Sequence, residues 1–146
     1  MPSNSTNVSL WEWYGQDEHK RVLVICEAIV ALEFLAKSAD EQEAFIPDCA
    51  ACETWYSMVT PLNDALCATG KSLPAPVLAA MTTLWELCNS PESEAAFRCG
   101  DRDIFYESAW QPIRSQANAL LLCGLFSEVR PHLEGLIDAC RERLSR

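Results

Sequence analysis

Cys49-Ala50-Ala51-Cys52 is the closest pairing of chemically active side chains in the sequence. Two thiols three residues apart share one face of a helix. A helix start lowers a thiol pKa, and a paired low-pKa thiol supports disulfide exchange. Two features weigh against that chemistry. Asp48 and Glu53 flank the pair, and nearby carboxylates raise a thiol pKa. No strand–helix–strand pattern surrounds it, as thioredoxin-like chemistry requires. Cys49, Cys52, Tyr56 and Val59 also fall on one helical stripe, so burial in a core accounts for both cysteines. Cys49 and Cys52 therefore stand as an alternative redox site beside a packing role.

Other chemistries find less support. A structural zinc site uses four ligands, usually as two close pairs; there is one CxxC, and His19 and His132 stand alone. No metal or other cofactor is expected. Gly70-Lys71-Ser72 has the ending of a phosphate-binding loop, but the first glycine of that pattern would fall at Ala65, and a helix precedes it. It reads as a helix cap. Glu27 and Glu33 are six positions apart in an apolar helix, too far round to form a paired acid–base site. They are expected at the rim or paired with arginines. No local nucleophile–base signature is present, so the chain is expected not to be an enzyme.

Charge is more informative. The chain carries 21 acidic and 11 basic side chains, a net charge of −10, and its pI is near 4.5. A nucleic-acid binder needs a basic face to displace counterions, and an anionic membrane surface demands the same; neither partner is expected. Residues 1–100 hold 14 acidic and 5 basic side chains, so the surplus lies there. Asp40, Glu41, Glu43 and Asp48 form one cluster, and Glu92 with Glu94 another. Such clusters keep a protein soluble, and they also steer it toward a basic protein partner. Trp11, Trp13 and Tyr14 lie in a short segment before Gly15. They form either a lid over the core or an aromatic hot spot, since Trp and Tyr dominate binding energy.

The elements that carry these residues are all helical, because no segment alternates as a strand does. Residues 1–9 are polar and are expected to be a disordered tail; residues 10–146 are expected to be one helical domain. Asp17 is placed to cap a helix to about Lys37, whose centre is apolar nearly all round and must be surrounded. The apolar run Val22–Ala36 holds two glutamates and is too short to span a bilayer. A short acidic helix over Asp40 to Ile46 stops at Pro47, and Asp48 caps the next. Thr60-Pro61 either starts a helix or kinks one, and Gly70 ends it. Pro74 and Pro76 open a helix whose buried face is expected to hold Val77, Leu78, Met81, Leu84, Trp85 and Cys88. Ser90-Pro91 opens another that stops at Gly100. Asp103 caps an aromatic turn, Pro112 starts a helix to about Cys123, and a last helix covers 128–144.

The predicted fold is all-α: a compact single-domain bundle of six to eight short helices arranged as antiparallel hairpins. Most of the eight cysteines fall on helical stripes, with Cys67 beside one, and residues 1–9 lack the pattern of a signal peptide; a cytoplasmic protein with reduced thiols is expected. Gly124-Leu125-Phe126-Ser127-Glu128-Val129 with Leu133, Leu136 and Ile137 resembles the turn and second helix of a tetratricopeptide unit over about twenty-five residues. That resemblance implies an adaptor binding a peptide in a hairpin groove.

The leading functional expectation is a non-catalytic acidic module that docks on a basic protein. Its concrete form is an immunity- or antitoxin-like inhibitor of a toxin or nuclease. The partner-binding candidates are Asp40, Glu41, Glu43, Asp48, Glu92, Glu94, Trp11, Trp13 and Tyr14.

Overall fold

A helix that is apolar nearly all round must be surrounded by other helices, and α2 (His19–Leu35) is so surrounded over most of its circumference. The computed structural model describes residues 10–46, 50–89 and 103–146. Within it Val22, Ile25, Cys26, Ala28, Ile29, Leu32 and Leu35 have no solvent exposure. Around α2 lie α1 (Leu10–Gly15), α5 (Thr60–Thr69), α7 (Trp110–Leu121) and α8 (Leu133–Leu144). An outer helix, α6 (Ala75–Asn89), packs on α5 and α7. A short helix α3 (Ala39–Phe45) rests on a 3-10 turn, Ile104–Tyr106. Helix α4 (Ala50–Thr54) runs through a π-helical turn, Trp55–Val59, directly into α5. Every regular element among the described residues is helical, so the all-α bundle expected from the sequence is what forms. The pairs Glu33–Arg130 at 3.1 Å and Glu27–Arg141 at 3.2 Å run in opposite order along α2 and the chain entering α8. Those two elements are therefore antiparallel neighbours. The two glutamates pair with arginines at the rim, as expected.

Local chemistry explains where the helices begin and end, and where expectation failed. Asp17 does not cap α2. Its φ of 63° puts it in the left-handed region, which Asp tolerates better than most residues. Its N–H bonds to the Tyr14 carbonyl at 3.2 Å, so it closes the end of α1 instead. The last helix starts at Leu133 rather than 128, because Pro131 sits in a 3-10 turn, Arg130–His132, after a single helical turn, Gly124–Ser127. The unit that resembles a tetratricopeptide hairpin is therefore shorter in its second helix. Gly70 follows α5 with a φ of −51°, not in the left-handed cap conformation, and opens a 3-10 turn through Ser72.

The stripe expected to bury Cys52 with Val59 is broken. Val59 is fully buried and Cys52 is exposed. The π turn between them is wider than an α turn and slips the side-chain phase by about one residue. Pro61 supplies the cause: it lacks an N–H for the carbonyl four residues back, and its ring crowds that carbonyl. The helix widens just before the proline instead of breaking, and Thr54, Met58, Val59, Leu62 and Ala65 become the inward face. The tail 1–9, the cap at Asp48 and the helix from Ser90 to Gly100 lie outside the described residues.

Candidate functional site

Helix α3 is only seven residues long, and isolated helices of that length do not persist in water. Two devices hold it. The first is a capping box at Ser38. The Glu41 N–H donates to Ser38 Oγ at 3.3 Å, and the Ser38 N–H donates to Glu41 Oε1 at 3.3 Å. The Ser38 hydroxyl adds a 3.0 Å bond to the same carboxylate oxygen. These donations, the backbone one first, hold the Glu41 carboxyl below its ordinary pKa, with the Lys37 charge adding to them. The second device is buried. Gln42 is fully inaccessible and donates to the carbonyls of Phe34 at 3.1 Å and Leu35 at 3.3 Å, at the end of α2. Its Oε1 accepts from Arg114 Nη2 at 2.8 Å and Nε at 3.2 Å. Arg114 also donates to the carbonyl of Lys37 at 3.0 Å and to that of Phe105. One guanidinium thereby ties the end of α2, α3 and the turn 104–106 to α7. Its rigid fork of donors suits it to that task.

This knot brings Tyr106 against α3. The Tyr106 hydroxyl donates to Asp40 Oδ1 at 2.6 Å. The bond to Asp40, some desolvation and nearby Glu43 push the phenol well above its ordinary pKa, so it remains a donor. The ring is still 51% exposed. Asp40 uses one acceptor site on Tyr106, and a carboxylate offers about four. The result is an exposed ring bordered by the carboxylates of Asp40 and Glu43. Of the acidic candidates, the structure gathers Asp40 and Glu43 on this flank, commits Glu41 to the cap, and leaves Asp48, Glu92 and Glu94 outside the described residues. Sequence reasoning missed Tyr106, Gln42 and Arg114. Their contacts that join α3 and the end of α2 to α7 and the turn 104–106 span 66 to 77 positions along the chain, and no local periodicity reports such a pairing.

The aromatic candidates occupy a different pair of elements. Trp13 is buried with Leu10 under α1, as a lid would be. Trp11 is 42% exposed and packs edge-on against His132 at 5.5 Å. Tyr14 packs in the same manner on His19 at 5.1 Å. Trp11 and Tyr14 border a cleft with Pro131, His132 and Glu134 at the start of α8.

The cysteines divide by environment. Burial, with smaller contributions from Cys140 and Glu27, pushes the Cys26 thiol up to about 12. Burial does the same to Cys88 and raises Cys140. Protonated buried thiols are poor nucleophiles. Cys52 and Cys67 are exposed and Cys123 is half-buried, and no disulfide joins two of the described cysteines. Cys49, the partner of Cys52 in the alternative redox site, lies outside the described residues. Among the described residues, no three His, Cys, Asp or Glu side chains come together as metal ligands, and no helix is long and apolar enough to cross a membrane.

Comparison with known proteins returned no matching family model, no matching curated protein and no matching solved structure.

Proposed function

We propose that this chain is a non-catalytic docking protein that takes a basic protein partner on the acidic flank of α3. Its most concrete form is an immunity- or antitoxin-like inhibitor that covers the cationic site of a toxin or nuclease. The observation that supports this reading is the Tyr106–Asp40 bond beside Glu43. It holds an exposed aromatic ring and two carboxylates in one fixed group. A Lys or Arg side chain laid over that ring gains a cation–π contact of about 0.5–1 kcal/mol at an exposed site, with carboxylates at hand to pair its charge. The net charge of −10 speeds encounter with a cationic partner and disfavours nucleic acid. A cytosolic location, where thiols stay reduced, goes with this reading.

Affinity capture from extract of the native host tests it, with the wild-type chain and Asp40→Lys/Glu43→Lys as paired baits. Glu41 is left intact because it caps the helix. The expected result is a basic protein held by the wild type, released by raised salt and lost from the variant. Equal capture by the variant contradicts the reading.

One observation favours a thiol-redox role instead: Cys52 is exposed on α4. Alkylation of the folded chain decides that alternative. Exposed Cys52 reacts under either reading, so the alternative fails if Cys49 stays unreactive until the chain is denatured.

A further inference from the structure

The acidic flank is too small to be a whole interface. Seven residues of α3 at a rise of ~1.5 Å each give ~10 Å of helix. A standard interface covers about 800 Å² per partner, a patch ~30 Å across. A partner docked on Asp40 and Tyr106 must therefore extend beyond the acidic flank of α3. Phe45, the last residue of α3, is 57% exposed and in tilted contact with Phe34 at 5.5 Å. Phe45 is one wall of a cleft of about 470 Å³ whose apolar lining includes Val30, Phe34, Met58 and Leu121. Val30 is also exposed.

The carboxylate on the lining of this cleft, Glu33, is already paired. Arg130 pairs with Glu33 at 3.1 Å, and Lys37 is a second cation on the lining. A basic side chain gains nothing there, whereas an apolar one buries area against Phe45 and Val30. Interfaces have this anatomy: an apolar centre that holds most of the energy, with a charged rim that orients and steers.

We infer that the Phe45 cleft receives an apolar anchor side chain, of Leu, Met or Phe size, from the same basic partner that docks on Asp40, Glu43 and Tyr106. The inference rests on the docking reading above, and the test separates the two. Two synthetic helical peptides serve as probes, one of Leu and Lys with an amphipathic period, the other with every Leu replaced by Ser. Binding to the full chain is followed by NMR at the Asp40 and Glu43 amides and at the Met58 and Leu121 methyls. Both peptides shift the two amides, and only the Leu/Lys peptide shifts the two methyls. Phe45→Ala weakens the Leu/Lys peptide about tenfold, the size of a modest hot spot, and leaves the Ser/Lys peptide unchanged. Val30→Gln, at an exposed position, gives the same pattern should Phe45→Ala loosen α3. If the amides respond to the Leu/Lys peptide and the methyls do not, the anchor inference is overturned and the docking reading stands. If neither peptide moves the amides, both fall. If the methyls respond equally in Asp40→Asn/Glu43→Gln, the cleft acts independently of the acidic flank and the inference is again overturned.

Discussion

A buried hydroxyl without a partner is a net cost to the fold, and Thr54 carries one. It is fully inaccessible, and its Oγ1 has no hydrogen bond. Leaving such a group unsatisfied costs about 1–3 kcal/mol. Thr54→Val keeps the shape and removes the polar atom, so it is expected to raise stability by about 1 kcal/mol, read as a higher denaturant midpoint. A lower midpoint would show that the hydroxyl has a use at the π turn. The buried thiols make a second residue-level prediction. Cys26 and Cys88 are raised from 9.0 to about 12 in the folded chain. A raised pKa means their protonated form is favoured by folding. Their contribution is therefore complete below the unfolded value and is lost as pH rises through the folded one. Stability should fall between about pH 9 and 12, and a thiol reagent at neutral pH should label Cys52 and Cys67 while sparing Cys26 and Cys88. Labelling of all four at one rate contradicts the burial.

At the scale of elements, α3 depends on the two ends of its support. Glu41 has a depressed pKa in the capping box. Its stabilising effect is present above the unfolded carboxyl value and disappears as pH falls through the folded one. Amide-exchange protection of α3 should therefore drop on acidification before that of α2 does. Arg114→Met removes the other support. It strands the Gln42 side chain and the carbonyls of Lys37 and Phe105, at a cost of about 2–4 kcal/mol. Tyr106 should also lose its place beside Asp40, so partner binding weakens along with stability. These supports explain what could be read ahead of the structure. Helix α6 was legible because Pro74 and Pro76 mark its start and its apolar residues repeat at helical spacing; of the six expected to face inward, Val77, Met81, Leu84 and Cys88 are buried and Leu78 and Trp85 partly so. The short acidic α3 was also expected, but its capping box at Ser38 was not. Cys52 was misplaced because one wide turn ahead of Pro61 shifts a whole stripe, and periodicity assumes that the period is constant. Asp17 was misassigned because a residue that caps one helix from in front can also close the previous one from behind.

For the whole molecule, the question is which surface meets a partner. The sequence named acidic and aromatic residues as one pool, and folding separates them. Asp40 and Glu43 share α3 with Tyr106 beside them, whereas Trp11 and Tyr14 face the start of α8. That division followed from contacts between distant parts of the chain and had no local mark. Exposed charge pairs contribute about 0.2–1 kcal/mol each, so Asp40→Lys/Glu43→Lys should weaken binding about tenfold through lost attraction and new repulsion. The loss should shrink at high salt, where screening shortens the reach of both. The most direct test of the docking account is zero-length carbodiimide cross-linking of the chain to its captured partner, which joins carboxylates to lysines in contact. The account predicts that mapped cross-links fall on Asp40 and Glu43. Cross-links confined to other carboxylates, such as Glu134, Asp138 and Glu142 on α8, with Asp40 and Glu43 unmodified by the partner, would contradict it.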